Sequence, residues 1–510
     1  MAKGGSGLAA PDWKARRSPV NADAPWPASK LAQERVLEIQ RKLHKWAKDD
    51  RERRFSDLHN LVCDPATLTL AWTRVRANRG SRSAGVDGQS AAYVEQVLGV
   101  QRFLAELREE LRSGSYRPLP VKERMIPKRG GKLRRLGIAT VRDRVVQAAI
   151  KLVLEPIFEV DFAPCSYGYR PGRRAQDAIA EVHFFATHSY EWIVEADIEA
   201  CFDRLDHVAI MDRVRARIAD KRVLGLVKAF LKAGILSEHG GLEGQLSGTP
   251  QGGILSPLMS NIALSALDRH YVRAWEAMGD TTARAKRRRH GEANYRLVRY
   301  ADDFVVCVAG GRNHAEALVT ETEQVIRPLG LALSPEKTRV THIDEGIEFL
   351  GWRIKRQRGR DGRPHVYTYP SKRSLAAILA KVKQITRTDY NQPLGQLLHR
   401  LNPVLRGWCA YFRSGVSSRT FGYLRAYTWR RVVRWLRRKH RKASWRWLRR
   451  RYLPGWWPTH GQVVLFNPGG VRTTRYRYRA KSIPTPWQDN RLALREPSLP
   501  LERLEGLIAR

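Results

Sequence analysis

The stretch Tyr295-Arg-Leu-Val-Arg-Tyr-Ala-Asp-Asp-Phe-Val-Val-Cys-Val308 decides how the chain is read. Leu297, Val298 and Tyr300 precede two adjacent carboxylates, Asp302 and Asp303, and Phe304, Val305, Val306 and Val308 follow them. Two short β-prone runs joined through Ala-Asp-Asp predict a hairpin with acids at its turn. Like charges at such a tip repel, and a hard divalent cation is the natural counter-charge. An isolated Asp-Asp pair is usually an ordinary solvated turn, so the surrounding sequence has to decide.

A second acidic run lies upstream. Trp192-Ile-Val-Glu-Ala-Asp197 is β-prone and continues as Ile198-Glu-Ala-Cys-Phe202-Asp203. If the two segments are neighbouring strands, Asp197 and Asp302 can share metal ions. Two metals held in this way clamp the attacking and leaving oxygens of an in-line phosphoryl displacement. Between the segments lies Gly248-Thr-Pro-Gln-Gly-Gly-Ile-Leu-Ser-Pro257.

Taken together, Tyr-Ala-Asp-Asp between apolar strands, Asp197 with Phe202 five residues on, and the Pro250-Gln-Gly segment resemble the catalytic palm of reverse transcriptases. Further elements narrow the resemblance to group II intron-encoded proteins of the bacterial type without an HNH endonuclease. They are Gly85-Val-Asp-Gly88, Ser166-Tyr-Gly-Tyr-Arg-Pro-Gly172 (read as template-contacting), Leu333-Ser-Pro-Glu-Lys-Thr338, Ile347-Glu-Phe-Leu-Gly-Trp352 and the thumb-like Leu401-Asn-Pro-Val-Leu-Arg-Gly-Trp-Cys-Ala-Tyr-Phe412. The resemblance covers roughly residues 30 to 460.

Composition agrees with a polyanionic partner. The chain has 510 residues and a net charge of +42, from 92 Lys plus Arg against 50 Asp plus Glu. Asn391 to Gln488 holds no acid at all, yet carries 22 Lys and Arg and eight of the 15 Trp. Arginine interleaved with tryptophan suits phosphate contacts plus stacking on unpaired bases. Cys63, Cys165, Cys201, Cys307 and Cys409 contain no CxxC pair, which excludes a disulfide framework or zinc site and predicts core thiols in a reducing cytoplasm. No signal peptide or long apolar run is read, so no membrane is expected.

The fold class expected is α+β: a right-hand polymerase with fingers and palm, then a helical thumb. The division read from the sequence is a Gly/Ala/Pro/Ser-rich disordered tail at 1–28, an N-terminal helical extension at 29–115, fingers and palm at 116–365, a thumb or maturase-specific domain at 366–453, and a basic nucleic-acid-binding module at 454–510. Ser29 is read as a helix cap, with Val36, Ile39, Leu43 and Trp46 on one helical face. Leu58 to Val75, Val208 to Leu231 and Phe421 to Leu453 are each read as continuous helical stretches, and Arg284 to His290 as a basic loop facing nucleic acid.

The resemblance implies RNA-directed DNA polymerisation, a nucleotidyl transfer, together with maturase assistance to the splicing of a group II intron RNA and to its retromobility. It implies that Asp197, Asp302 and Asp303, with the backbone carbonyl of Ile198, gather two Mg2+ ions, with Mn2+ as a substitute. Glu195, Glu199 and Asp203 are nearby acids assigned to support. Lys128 and Arg134, flanking the tight Gly130-Gly131 turn, would grip the incoming triphosphate. Phe202 would exclude a 2′-hydroxyl, Gln251 would pack on the nucleotide, and Gly351 would let the backbone approach the primer. Arg437, Arg438, Arg441 and Arg446 are expected to bind RNA or DNA. The partners are therefore intron RNA, target and primer DNA, and deoxynucleoside triphosphates. The residues after 440 offer no cysteine pairs for an HNH nuclease. Two alternatives stay open: a related transcriptase recruited to phage defence or sequence diversification, and a catalytically silent RNA-binding splicing cofactor. The intact acids and Pro250-Gln-Gly weigh against the silent reading. Phe202 and Tyr-Ala-Asp-Asp weigh against an RNA-dependent RNA polymerase.

Overall fold

The structure is a computed structural model. It describes residues 26–488 apart from 128–132, 240, 245–246, 360, 388 and 481. The stretch 1–25 of the expected tail, Lys128 and the Gly130-Gly131 turn lie outside the described residues.

A four-stranded antiparallel sheet forms the centre, in the order Asn294–Tyr300, Asp303–Ala309, Trp192–Asp197, Arg339–His342. Side chains of a strand alternate between faces, and this sheet is buried on both. Phe304, Val306 and Val308 enter one core, with the helices Val141–Glu159, Ser256–Ala277 and Arg312–Ile326. Val305, Cys307 and Ala309 enter the other, with the helix Ala175–Thr187 and the C-terminal helices. Double burial is why Phe304 to Ala309 reads as an unbroken apolar run.

The fingers hairpin, Val121–Pro127 with Leu133–Ile138, forms as expected. It extends through the short strands Ile235–Leu236 and Leu242–Glu243. A third sheet joins Ile347–Phe349, Trp352–Arg358 and Pro364–Pro370. The expected palm boundary at 365 therefore falls inside a strand. That hairpin reads as a polar linker because much of it faces solvent.

Several expected helices are divided. Leu58 to Val75 becomes His59–Val62 and Pro65–Ala77, because Pro65 takes the first turn and Asp64 caps the Ala66 amide at 2.8 Å. Val208 to Leu231 becomes His207–Arg215 and Lys221–Leu231, the second capped by Asp220. Phe421 to Leu453 becomes Ser418–Lys439 and Trp445–Tyr452, with Ser444 capping the Trp447 amide at 3.2 Å. In the first helix, Ser29–Asp49, Ala28 rather than Ser29 is the N-cap, and Trp46 is 42% exposed while Ala47 is buried in its place. Arg284 to His290 is not a loop. It belongs to the helix Thr281–Arg289, capped by Asp280, with no buried residue.

The C-terminal stretch also departs from expectation. Residues 471–480 carry no helix or strand; Thr474 bonds to the Arg413 carbonyl, and 476–479 lie against Ala175–Thr187. The Tyr476 hydroxyl and the Arg479 guanidinium donate to Asp177, and the Tyr478 hydroxyl donates to Glu181 at 3.1 Å. Beyond them the buried Trp487 donates its indole N–H to Gln40 of the first helix at 3.1 Å. Within the expected basic module, the small hairpin of Thr459–His460 and Val463–Val464 is followed by a strap, with Arg472, Arg475 and Arg477 exposed on it. All five cysteines are buried free thiols. Among the described residues no helix is long and apolar enough to cross a membrane.

Candidate active site

The acidic hairpin forms as read. Tyr300 pairs with Asp303, which leaves Ala301-Asp302 as a two-residue turn. Ala301 takes φ of 58°, a left-handed conformation costly for a residue with a side chain. The buried Arg299 guanidinium braces it. The Arg299 Nη1 donates to the Ala301 carbonyl at 2.8 Å. The same guanidinium forms a two-point bond with Asp268 at 2.7 and 2.6 Å, and both side chains are wholly buried. It also reaches Asn261 Oδ1 at 3.0 Å and Ser166 Oγ at 2.7 Å. Gly168 lies directly beneath, where any Cβ would overlap the Ala301 amide.

The segment Ser166 to Gly172 is thus mostly a strut for this turn. Tyr169 and Gly172 are its exposed residues. Tyr167 is buried with its hydroxyl donating to Glu181 at 2.6 Å, and Arg170 is buried on Glu159 and on the carbonyls of Ala163 and Ser166. Arg299 went unassigned in the sequence. The available signal was an arginine inside a doubly apolar strand, which demands a buried acid partner.

The neighbouring strand brings Asp197 directly opposite Asp303. Asp302 sits beside both at the turn. Burial, then repulsion from Asp197, raises the Asp302 carboxyl above its ordinary range, while Arg134 and Arg299 pull it down. Asp303 is pushed up to about 7 by burial first, then by Asp302 and Asp197, with Lys337 and Arg373 opposing. Asp303 is nonetheless open to solvent. Water at that exposed carboxyl moderates the repulsion. Among the described residues no three His, Cys, Asp or Glu side chains converge at ligand distance. Asp197 instead accepts a bond from Lys337 Nζ at 2.6 Å. The three acids fit a cation by donor type and by register: hard oxygens gathered at the end of one strand pair and its adjoining turn.

The other expected residues divide into those near these acids and those away from them. Ile198 pairs with Leu333 in an isolated bridge, and the bonds Ser334 N to Asp197 O and Glu199 N to Ala332 O flank its carbonyl. Glu199 pairs with Arg204, and Glu195 accepts from Thr341 and from the Glu348 amide. Phe202 lies half-buried in the short helix Cys201–Arg204, entered through Ala200 at φ of 46°. Gln251 donates to Asp203 Oδ2 at 2.9 Å, and its carbonyl receives the Gly137 amide of the fingers hairpin at 2.8 Å. Arg134 is exposed on that hairpin, and its charge reaches Asp302. Arg135 is instead tied to Glu123 and Glu243. Gly351 has φ of 78° and its carbonyl accepts from Ser374 Oγ at 2.8 Å, while Tyr411 OH donates to the Leu350 carbonyl at 2.9 Å. The closest approach permitted by the missing side chain is thus to the thumb helix Lys372–Ile385 itself.

Arg437, Arg438, Arg441 and Arg446 form a separate exposed surface on the C-terminal helices. Arg437 lies over the Trp445 ring at 5.1 Å, and Arg438 donates to Tyr390 OH at 2.9 Å. Arg438 and Arg441 line an open groove of about 830 Å³ with Tyr390, Lys439 and Lys442. The tryptophans are divided between core and surface: Trp435 is buried, and the half-buried Trp408 packs on Phe412 at 4.6 Å. Trp447 and Trp456 are exposed at 43% and 51%.

Residues 126–354 match the family model described as reverse transcriptase (RNA-dependent DNA polymerase), and residues 375–453 match the group II intron maturase-specific domain. Protein YkfC of Escherichia coli is 36% identical over 375 residues, covering 68% of this chain and 97% of that protein. The group II intron-encoded protein LtrA of Lactococcus lactis subsp. cremoris is 29% identical over 374 residues, 63% of this chain and 60% of LtrA. A putative COX1/OXI3 intron 1 protein of Saccharomyces cerevisiae is 25% identical over 406 residues, 71% of this chain and 46% of the relative. The chain thus spans nearly all of YkfC but less than two thirds of the named intron proteins.

Arg299→Met is expected to cost about 3–5 kcal/mol, since it strands the Asp268 charge in the core. The double variant Arg299→Met/Asp268→Leu should recover part of that loss in denaturant unfolding. Equal loss in both variants would mean that the pair is not the source.

Proposed function

Because this chain belongs to the group II intron-encoded proteins that join a reverse transcriptase to a maturase-specific domain, we propose that it is an RNA-directed DNA polymerase that also assists intron RNA splicing and supports retromobility. The observation that carries the polymerase reading is the strand register that sets Asp197 against Asp303, with Asp302 in the turn beside them. A reverse transcriptase domain depends in general on divalent metal; we assign two Mg2+ ions, with Mn2+ as a substitute. When bound, they would stabilise charge on the primer 3′-oxygen and on the leaving pyrophosphate.

The residues would divide the work as follows. Asp197 and Asp302 would hold both ions, with Asp303 and the Ile198 carbonyl completing the set. Lys128 and Arg134 would close on the triphosphate from the fingers, and the reach of the Arg134 charge to Asp302 supports that direction. Phe202, just beyond the strand that ends in Asp197, would leave no space for a 2′-hydroxyl. Gln251 would pack on the nucleotide while Asp203 fixes its amide. Gly351 would present the primer-side turn, braced from behind by Ser374 and Tyr411. The maturase reading rests on the acid-free region, where Arg438 and Arg441 line the open groove and aromatic rings keep neighbouring guanidinium groups in place. Intron RNA, primer and target DNA would be the nucleic-acid partners, and the cytoplasm the site of action. The five-part division read from the sequence is kept as part of the proposal.

Asp197→Ala and Asp302→Ala should each abolish cDNA synthesis from an RNA template while RNA binding persists. Near-normal extension by either variant in Mg2+ would refute the metal assignment. Phe202→Ala should admit ribonucleotides at least tenfold more readily, a loss of roughly 1.4 kcal/mol of discrimination; unchanged selection in single-nucleotide assays would remove Phe202 from that role. Neutralising Arg437, Arg438, Arg441 and Arg446 together should weaken intron RNA binding, and flatten its salt dependence, more than extension on a plain primer-template. Equal effects on both would argue against a dedicated intron surface.

A further inference from the structure

Residues 166–172 are strained where they are exposed. Tyr169 and Gly172 both take left-handed backbone, with φ of 57° and 74°, a region that a residue with a side chain adopts only at a cost. Such a turn keeps its shape only where neighbours hold it. From the core, Arg170 does so through Glu159 and the carbonyls of Ala163 and Ser166. The rest of the support comes from the strap, across 297 to 307 residues of sequence.

Two buried carboxylates on the helix Ala175–Thr187 carry that support. Asp177 stands at the exit of the turn and accepts the Arg174 amide at 2.8 Å. It also accepts two bonds from the Arg479 guanidinium, at 2.8 and 2.7 Å, and one from the Tyr476 hydroxyl at 3.0 Å. Glu181 serves the entry, where it accepts the Tyr167 hydroxyl at 2.6 Å, and the Tyr478 hydroxyl joins it at 3.1 Å. Arg296 neutralises Glu181, and among the described residues Arg479 is the ion-pair partner of Asp177. A carboxylate so enclosed holds its cation firmly, because separating the two would strand a charge in the core. The guanidinium is thereby fixed, and it also donates to the Gly172 carbonyl at 3.2 Å. The Pro484 carbonyl closes the outer side, lying 2.6 Å from where a Cβ on residue 172 would sit. The strap thus meets both ends of the segment.

We propose that the strap is a template brace: Arg479, Tyr476 and Tyr478, acting through Asp177 and Glu181, hold the exposed turn at Tyr169 in the shape that meets the single-stranded template. The proposal rests on the reading of residues 166–172 as template-contacting and deepens it. Arg479 is a positioning residue, and its influence on the template runs through Gly172. A strap that merely tied helices together would affect every nucleic acid alike. A brace for this turn affects the template overhang alone.

The test compares the full chain with Arg479→Gln, Arg479→Lys, Tyr476→Phe/Tyr478→Phe, Tyr169→Ala and the double variant Arg479→Gln/Tyr169→Ala. Each is titrated by fluorescence anisotropy with a DNA primer on an RNA template that carries a single-stranded 5′ overhang, and with a blunt RNA–DNA duplex of the same paired length. Arg479→Gln should bind the overhang substrate about fivefold more weakly, the loss of a contact or two, and the blunt duplex as tightly as wild type. Arg479→Lys should recover part of the difference. The paired tyrosine variant removes only two hydroxyls, should shift the same way, and decides the matter if Arg479→Gln does not fold. The double variant should bind no worse than Tyr169→Ala alone, since both changes act on one turn. If Tyr169→Ala weakens overhang binding but the strap variants show no selective loss, or the double variant is additive, the proposal is overturned and the template reading stands. If Tyr169→Ala binds the overhang as wild type does, the template reading itself falls, and this proposal with it.

Discussion

Everything at the acidic site depends on one buried guanidinium. Arg299 is wholly enclosed, and so is Asp268, the acid that neutralises it. Burying such a pair is expensive, and apolar side chains of the same volume often stabilise a fold as well. What the pair supplies here is position. Its remaining N–H groups reach the carbonyl of Ala301, the amide oxygen of Asn261 and the hydroxyl of Ser166. One rigid planar group thus fixes the strained turn, the long helix Ser256–Ala277 and the loop beneath them in a single geometry. An apolar replacement fills the space but cannot aim a turn.

From that fixed turn the rest of the site follows by register. The two-residue turn sets which side chain of the strand Asp303–Ala309 points to which core, and the same pairing sets Asp197 across from Asp303. Slipping the register by one residue would exchange the two apolar faces as well as displace the acids. Since both faces are buried, packing energy guards the alignment of the carboxylates. The thumb is tied into the same geometry. Ser374 and Tyr411 hold the carbonyls of Gly351 and Leu350, and Arg373 at the start of the thumb helix acts on Asp303.

The parts legible in the sequence were those governed by local pattern. The acidic hairpin, the strand ending in Asp197 and the helix that begins near Ser29 are all found, because periodicity and glycine or acid punctuation are local signals. Helix interruptions at Asp64, Asp220 and Ser444 were missed although each carries a capping side chain, because apolar spacing resumed after the break and masked it. The basic run around Arg284 was taken for a loop. Its helix buries nothing, so no apolar stripe betrays it. Tyr167 and Arg170 belong to the segment that the resemblance reads as template-contacting, yet both side chains are buried. Their partners Glu181 and Glu159 are 14 and 11 residues away, and only the folded chain shows that these acids are buried too. Lys337 and Arg299 failed for a similar reason, since their acceptors come from distant strands and helices.

The strap gives the chain an order of assembly. Gln40 and His44, both buried on the first helix, meet Trp487 and Thr485 across 447 and 441 residues. A ribosome making this protein delivers the helix first and its cover last. Until residues 485–487 emerge, that face of the helix stays open to water or to a chaperone. Contacts so distant in sequence carry the largest loop-closure cost and form late. The Asp177 and Glu181 carboxylates wait in the same way for Tyr476, Tyr478 and Arg479. Docking of the strap therefore ties residues 476–487 to two helices whose partner residues lie 299 and 447 positions earlier in the chain.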